Sequence, residues 1–490
     1  MTSRLSRLSR LCFVVAALVV TVSLAASLVW ALGTLAARPL DGVEGDVLFE
    51  ADRISRGLAL YTAPTIGVLD YGPPPARFLV LYPPLWSALL SVVPPGASSA
   101  SVLVARVLAL ASWIAVLAWP VLRAPRPRRL AAGAMAAFVG SIWVLALYGA
   151  SGRPDALAVL LAGVALERAA RRGDVDVLGG VLFALAVWVK PNVVGAAPGA
   201  IVCAFVMRRR PGGFLAAVAT SAVVAGVLTF ASGGRWLEHL LASTGQPPSL
   251  PLLLEQLAGR GPFFLLPIAL SLACGWRARR DPGARIATAA LATSTVWSLL
   301  CLAKIGSAAN YFLEPMVCAV IVLARADVPP LGERARLALG VGSVVQALWT
   351  GMASVKSAAR ELPMAYARDR VLARTRATCG ATTRSVVLAD EPGLERQLNG
   401  RIVATPFQST HLARRGRFPV DAWISDVASP EAACLVMQDD LLERPLAQVD
   451  VAHDRFGVEL RRALRARFEL VEVAGGYRIY RARDKDGGPR

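Results

Sequence analysis

Apolar segments long enough to cross a bilayer recur along this chain, and this recurrence limits its fold more than any other feature. A hydrocarbon core of about 30 Å requires about 20 apolar residues in helical form. The composition agrees, since 55% of the 490 residues are hydrophobic and only 18% are charged. The chain is therefore predicted to be an α-helical polytopic membrane protein with about 11 transmembrane helices. We place these spans at residues 11–35, 100–122, 131–149, 155–167, 176–190, 194–207, 214–232, 262–276, 286–303, 311–324 and 337–353.

Arginine collects in alternate connections between these spans. The Arg-rich segments are residues 4–10, 123–129, 167–174, 207–213, 277–285 and 325–336. Because an excess of Arg and Lys marks the cytoplasmic side, the N-terminus is predicted to be cytoplasmic and residues after about 354 to lie outside. The first apolar stretch also resembles a signal peptide, but it lacks a clear cleavage site, so we interpret it as a membrane helix. The net charge of +19 is then explained by cytoplasmic loops and does not indicate nucleic acid.

Lysine is rare in this chain, and two of its lysines close apolar segments. Lys and Arg together number 53, but Lys occupies only positions 190, 304, 356 and 485. Lys190, Lys304 and Arg153 each lie in a short outer segment, where a charge near the bilayer faces a partner or a wet cavity unless it snorkels to the interface. Asn310 and Tyr311 follow Lys304 and add hydrogen-bond donors. Together they predict a site for an anionic lipid headgroup, with snorkelling end-caps as the alternative.

The outer segment after the first span, residues 36–99, is rich in carboxylates near its start. These are Asp41, Glu44, Asp46, Glu50 and Asp52. The pattern of apolar residues predicts an amphipathic helix from Val47 to Tyr61 along the membrane surface. A carboxylate beside a cationic pocket can take a proton from an acceptor while the cations stabilise a departing phosphate. A solvated acidic loop is the alternative.

Residues 361–490 form a second predicted domain, after a membrane module of residues 1–360 that includes the outer segment 36–99. Charged residues are more frequent here, and short buried strands are predicted at SVVLAD, GRIVATP and ACLVMQD. Helices are predicted at PGLERQLNG and FGVELRRALRARF, and a terminal hairpin at ELVEVAGGYRIYRA. This pattern indicates a small extracytoplasmic α/β domain. Cys379 and Cys434 are its only cysteines, and an oxidising compartment permits a disulfide between them.

Short motifs follow one another across residues 40–325, all on the predicted outer side. They are EGD (44–46), RGLALY (56–61), YPPLW (82–86), RPD (153–155), VKPN (189–192) and KIGSAANYFLEP (304–315). In this order they resemble the GT-C superfamily of polytopic membrane glycosyltransferases, especially relatives of protein O-mannosyltransferases and aminoarabinose transferases. The resemblance implies a GT-C-like fold and inverting transfer of a sugar from a polyprenyl-phosphate donor. The acceptor would be a glycan, lipid or protein at the outer face of the plasma (inner) membrane.

The resemblance also implies roles for single residues. The acidic catalytic residue of the family maps onto Glu44, or onto Asp46 as second choice, because relatives carry adjacent Asp and Glu where this chain has VEGD. The cations that bind the lipid phosphate map onto Lys190 and Lys304, and Arg153 belongs with them. The substrate-binding set is completed by Asn310, Tyr311, Tyr61 and Tyr82.

No cofactor is expected from the sequence. The three His residues show no ligand spacing, and although Asp41, Glu44 and Asp46 are oxygen ligands suited to Mg²⁺ or Mn²⁺, a monophosphate donor can leave without a metal. No nucleotide-binding motif occurs, which favours a lipid-linked donor. A transporter or flippase for a lipid-linked saccharide is the main alternative. A non-catalytic scaffold that presents the outer domain is another.

Overall fold

The computed structural model describes residues 2–37, 42–61, 64–65, 68–69, 79–93, 99–208, 210–327, 332–379, 386–400, 402, 405–416, 420–438, 440–450 and 454–483. Helices dominate the described residues. In chain order they are α1 (Thr2–Gly33), α2 (Gly42–Ser55), α3 (Leu85–Leu90), α4 (Ser99–Arg123), α5 (Arg126–Ser141), α6 (Trp143–Ala150), α7 (Asp155–Arg172), α8 (Val177–Val189), α9 (Ala196–Arg208), α10 (Gly212–Ser232), α11 (Arg235–Thr244), α12 (Leu250–Arg277), α13 (Pro282–Leu302), α14 (Leu313–Arg325), α15 (Glu333–Thr378), α16 (Pro392–Asn399), α17 (Pro406–Ala413), α18 (Val420–Ala428) and α19 (Val458–Arg467). The strands are β1 (Pro64–Thr65), β2 (Val68–Leu69), β3 (Val386–Ala389), β4 (Ala432–Met437), β5 (Phe468–Ala474) and β6 (Tyr477–Ala482).

The predicted polytopic helical fold is confirmed. Among the described residues, six helices are long and apolar enough to cross a membrane, namely α1, α4, α10, α12, α13 and α15. The pair α5 and α6 passes the same test as one broken span, bent by 80°. The other four predicted spans correspond to the shorter helices α7, α8, α9 and α14. Helix α8 is short because Asp176 caps its start and Pro191 follows its last turn.

The first compact unit comprises residues 1–33, 105–225 and 247–361. Its most enclosed helix is α14, in which every residue from Leu313 to Ala324 is buried. This helix is apolar on nearly all sides, which is typical of a helix at the centre of a bundle. It packs against α5, α7, α12 and α13.

The second compact unit comprises residues 34–104, 226–246 and 362–490. Its sheet has the order β3-β4-β6-β5, in which β3 and β4 are parallel and the other neighbours antiparallel. Helices α16 to α18 connect the two parallel strands, because parallel strands need a crossover connection. The sequence prediction of a strand at 400–406 is wrong for its described residues, since Gly400 ends α16 and Pro406 begins α17. Residues 401, 403 and 404 lie outside the described residues.

The first outer segment shares a hydrophobic core with the C-terminal sheet inside this second unit. Leu79 and Leu81 pack in the same cluster as Leu435, Phe456 and Tyr480. Residues 36–99 were grouped with the membrane helices in the predicted domain boundaries, which stay a prediction. The contacts of this segment in the second unit are with the C-terminal α/β fold.

A disulfide joins Cys379, directly after α15, to Cys434 in β4, with an S–S distance of 2.07 Å and Cα atoms 5.8 Å apart. This is the pairing that the sequence permits for an oxidising compartment. The five remaining cysteines are free thiols. The bond ties the end of the longest helix to the sheet.

Candidate functional site

The predicted site residues lie in both compact units, and each group is described within its own unit. The first unit contains Arg153, Lys190, Lys304, Asn310 and Tyr311. The second unit contains Glu44, Asp46, Tyr61 and Tyr82.

Asp155 is the centre of a buried ion network in the first unit. The Lys190 ammonium donates a hydrogen bond to Asp155 Oδ1, and Asn310 Nδ2 donates to the same oxygen at 2.8 Å. Arg153 Nε lies 3.3 Å from Asp155 Oδ2. The side chains of Lys190 and Asp155 are only 1% and 2% exposed. The structure therefore brings Lys190, Arg153 and Asn310 together around one carboxylate.

Breaks between helices place these side chains at one point. Helix α7 begins at Asp155 directly after Pro154, where the positive end of the helix dipole favours a carboxylate. Helix α8 ends before Lys190, which is extended because a proline follows it. Asn310 lies in a short 3₁₀ helix, Ala309–Phe312, that leads into α14. Each break thus leaves a polar side chain at the end of an apolar helix.

The network carries more positive than negative charge. A buried ion pair is tolerated when further hydrogen bonds compensate its charges, and Asp155 accepts from Lys190, Arg153 and Asn310. Asp155 offsets only one of the two cations, and Lys190 also experiences the positive charges of Arg153 and Lys304. Surplus positive charge in surroundings of low dielectric constant attracts an anion.

Lys304 lies in a tight turn after α13. Its backbone forms an antiparallel bridge with Pro248. Gly306 adopts a left-handed conformation with φ of 78°, and the Ser307 N–H then donates to the Lys304 carbonyl oxygen at 3.1 Å. Within the described part of the chain, no carboxylate lies at ion-pair distance from Lys304.

Tyr311 lies beside the same network. Its carbonyl oxygen accepts a hydrogen bond from Ser298 Oγ at 2.7 Å. Its hydroxyl contacts the Ser307 side chain and experiences the charges of Asp155 and Arg153. The KIGSAANY turn thus places Tyr311 next to the cationic group, which consists of Arg153, Lys190 and Lys304, and the role of Tyr311 in substrate binding stays a prediction.

Asp155 is a site residue that the sequence motifs contained but to which no role was assigned. A signal was present, because a carboxylate at the start of an apolar helix needs a cationic partner. Its partner Lys190 is 35 positions away in the sequence, so only the packing of α7 on α8 identifies the pair.

Glu44 and Asp46 lie at the start of α2 in the second unit, and both are buried. The helix begins at Gly42 instead of the predicted Val47 and ends at Ser55 instead of Tyr61. It ends early because Gly57 adopts a left-handed conformation with φ of 67°. Both candidate carboxylates therefore belong to the helix and not to the loop before it.

Helix α2 packs directly on the start of α16. A Cβ atom on Gly45 would lie 2.2 Å from Cα of Gly393, so only glycine permits this approach. Arg396 in α16 is fully buried and donates to Asp52 Oδ2 at 2.8 Å. The predicted position of this helix along the membrane surface is wrong for residues 44–52, which are all buried in protein.

Glu50 lies one turn after Asp46 and is also fully buried. Its Oε2 accepts from Ser87 Oγ at 2.6 Å, whereas its Oε1 has no hydrogen-bond partner among the described residues. Burial raises the pKa of Glu50 to about 8, against weaker opposing effects of the Ser87 hydroxyl and the Leu81 N–H. At neutral pH this carboxyl is therefore mostly protonated.

Tyr61 and Tyr82 occupy hydrophobic surroundings. The Tyr61 ring packs edge-on to His239, with ring centroids 5.4 Å apart, in a cluster with Phe49 and Val80. Burial raises the pKa of the Tyr61 hydroxyl. Tyr82 is half-buried and packs against the main core of the second unit. Their role in substrate binding stays a prediction.

A divalent metal ion in this chain would need several oxygen ligands close together. Among the described residues, no three His, Cys, Asp or Glu side chains are grouped in that way. Asp41, one of the carboxylates considered as a ligand, lies outside the described residues.

Comparisons with known proteins give a match in fold only. No protein-family model matches the chain, and no curated protein matches it significantly in sequence. Its fold is similar to that of ArnT from Cupriavidus metallidurans bound to undecaprenyl phosphate, with a TM-score of 0.54 and 13% identity over 97% of this chain and 99% of ArnT. The apo state of ArnT gives a TM-score of 0.53 and 14% identity over 96% and 99%.

The apo oligosaccharyltransferase of Archaeoglobus fulgidus matches with a TM-score of 0.48 and 12% identity over 84% of this chain and 69% of that chain. ArnT is a GT-C glycosyltransferase, and its similarity extends over nearly all of both chains. The chain therefore has a GT-C-like fold, as its ordered motifs predicted.

Proposed function

We propose that this chain is an integral-membrane glycosyltransferase that moves a hexosyl or pentosyl group from a polyprenyl-phosphate donor to an acceptor, with inversion. The observation that supports this most is the cationic network of the first unit. Lys190 and Arg153 share one carboxylate, and Lys304 has none at ion-pair distance among the described residues. In a GT-C-like fold, this surplus charge suits the phosphate of a lipid carrier. ArnT, which has this fold, has been solved with undecaprenyl phosphate bound.

In the proposed reaction the cations bind the donor phosphate and stabilise it as it leaves. The bond between the anomeric carbon and the phosphate oxygen breaks, and the phosphate keeps the electron pair. Lys304 contacts the phosphate directly, while Lys190 and Arg153 supply charge from the network around Asp155. Asn310 and Tyr311 orient the donor through hydrogen bonds. A lipid phosphate with these cations around it needs no divalent metal or other cofactor to leave.

The acceptor is a hydroxyl or amine of a glycan, lipid or protein. It forms the new bond to the anomeric carbon from the side opposite the phosphate, which inverts the configuration. Glu44 takes the proton that the acceptor loses, with Asp46 as the second candidate for this role. Tyr61 and Tyr82 are proposed to contribute to substrate binding from the same unit.

We place the chain in the plasma (inner) membrane with a cytoplasmic N-terminus. The Arg-rich segments support this orientation, because their charges favour the cytoplasmic side. The C-terminal α/β fold is then extracytoplasmic, and its Cys379–Cys434 disulfide suits an oxidising compartment.

Transfer in detergent separates an enzyme from a transporter. Mass spectrometry of lipids that copurify with the full chain would identify the donor, and we expect a polyprenyl-phosphate sugar. Detergent micelles with this donor and extracted envelope acceptors should then show glycosyl transfer without a sealed compartment. Glu44→Gln or Asp46→Asn should lower kcat about 100-fold, a typical effect of losing a general base. No transfer in detergent, together with movement of the donor across sealed vesicles, would favour the transporter.

A further inference from the structure

The Glu50 carboxyl connects several segments of the second unit. It extends from α2 to Ser87 in α3, whose hydroxyl donates to Oε2 at 2.6 Å. The backbone N–H of Leu81 faces the same carboxyl group. Tyr61 lies close enough to Glu50 for the two side chains to interact electrostatically. The Tyr61 ring packs edge-on to His239, whose Nδ1 accepts from the Val80 N–H at 3.3 Å.

No cation balances Glu50 within the described residues, since none of them forms an ion pair with it. Asp52 on the same helix shows the contrast, because the buried Arg396 pairs with it at 2.8 Å. An ionised carboxylate that is fully buried, with only a hydroxyl and one N–H as donors, is costly. The protonated acid avoids this cost and keeps its hydrogen bond with Ser87.

We infer that Glu50 is a positioning residue of the proposed transferase, whose neutral carboxyl holds α2, the helix of Glu44 and Asp46, against α3. The inference rests on the proposed function for its effect on transfer. Glu50 follows Asp46 by four positions, so both side chains leave the helix on the same side. A displacement of Glu50 therefore moves the candidate bases.

Ionisation of Glu50 would disrupt the packing of α2 against α3. A bare negative charge between α2 and α3 would draw in water and separate the two helices. Transfer should then fall at alkaline pH. A loss of transfer at alkaline pH indicates that the neutral form of Glu50 is needed, because a side chain that only fills space would act in the same way at every pH.

The first test is the pH profile of transfer by the full chain. Between pH 7 and pH 9 the wild-type rate should fall about tenfold, as one ionisation near pH 8 requires. Glu50→Gln, which is neutral at every pH and of the same size, should change by less than about twofold over this range. The control Glu238→Gln removes an exposed carboxylate of the same unit and should keep the wild-type profile. An alkaline loss that is the same in Glu50→Gln and wild type would overturn the inference.

The second test does not depend on activity. Hydrogen exchange of the α2 amides, corrected for the intrinsic effect of pH, should increase at least threefold from pH 7 to pH 9 in wild type but not in Glu50→Gln. Equal corrected exchange at both pH values in wild type would overturn the inference even if transfer is pH-dependent. If the wild type shows no transfer at all, the proposed function fails, and the exchange measurement alone decides on Glu50.

Discussion

Buried carboxylates in this chain are stabilised by different partners. Asp155 accepts hydrogen bonds from Lys190, Arg153 and Asn310 and can stay ionised at almost no exposure. Asp52 has one buried guanidinium as its partner. Glu50 has a hydroxyl and an N–H, so the neutral acid is its stable form. The effect of a substitution on stability should therefore differ between Asp155, Asp52 and Glu50.

Removal of Lys190 alone should destabilise the chain more than removal of the charges of both Lys190 and its partner Asp155. Lys190→Met leaves Asp155 buried with one cation fewer and should lower the free energy of unfolding by about 3 kcal/mol. The double variant Lys190→Met/Asp155→Asn has no unpaired carboxylate, so it should recover at least half of this loss. Thermal unfolding in detergent measures both. Losses that simply add up in the double variant would show that the two residues are not coupled.

Glu50 should make stability fall as the pH rises. Its pKa is raised from 4.5 to about 8 in the folded chain, so between these values the folded state binds a proton that the unfolded chain has lost. The stabilisation is complete below about pH 4.5 and disappears as the pH rises through about 8. The stability of Glu50→Gln relative to wild type should therefore increase by about 1 kcal/mol per pH unit in this window. Melting temperatures from pH 5 to pH 8 test this, and a constant difference would contradict it.

At the scale of elements, the position of α2 depends on one close contact between backbones. Helix α2 approaches α16 so closely that Gly45 and Gly393 leave no room for a side chain. The ion pair between Asp52 and Arg396 fixes the same two helices further along. The acidic helix is thereby built into the C-terminal α/β fold instead of lying on a lipid surface.

Gly45→Ala should disrupt this contact, whereas Gly42→Ala should not. A Cβ at position 45 would lie 2.2 Å from Gly393, while one at position 42 would meet only Pro392 Cδ at 3.6 Å. The first variant should lose about 1–3 kcal/mol through overpacking and most of its transfer activity. Gly42→Ala only replaces glycine by a residue with a higher helix propensity, so it should behave like wild type. Melting temperature and transfer rate of both variants are the measurements, and equal behaviour would argue against the contact.

The sequence identified the cations Arg153, Lys190 and Lys304, whose role in binding a phosphate stays a prediction, but it did not identify their internal partner Asp155. Lys190 and Lys304 were recognisable because a chain with so little Lys places them at the ends of apolar segments. The pairing of Lys190 with Asp155 depends on packing between α7 and α8, which no local pattern encodes. The start of α2 was misplaced because Gly45 has a low helix propensity, which its contact with α16 outweighs. The end of α2 was misplaced because the left-handed Gly57 ends the helix before Tyr61.

At the scale of the whole molecule, residues far apart in the sequence form each compact unit. The first outer segment and the C-terminal sheet share one core, with Leu79 and Leu81 packed beside β4 and β6. The sequence predicted a polytopic helical fold and a small C-terminal sheet region, whereas fewer helices than the predicted 11 are long and apolar enough to cross a membrane among the described residues. The shared core could not be predicted, because the sequence of an apolar loop does not show which distant residues it packs against.

Binding of a lipid phosphate tests the central claim most directly, namely that the cationic group of the first unit holds the donor. Affinity for undecaprenyl phosphate can be measured on the full chain in detergent for wild type, Lys304→Ala and Lys356→Ala. Lys356 is an exposed lysine of α15 and serves as the matched control. We predict that Lys304→Ala binds about 10- to 100-fold more weakly, the usual effect of losing a charged hydrogen bond, and that Lys356→Ala binds like wild type. Equal affinities of wild type and Lys304→Ala would contradict the account.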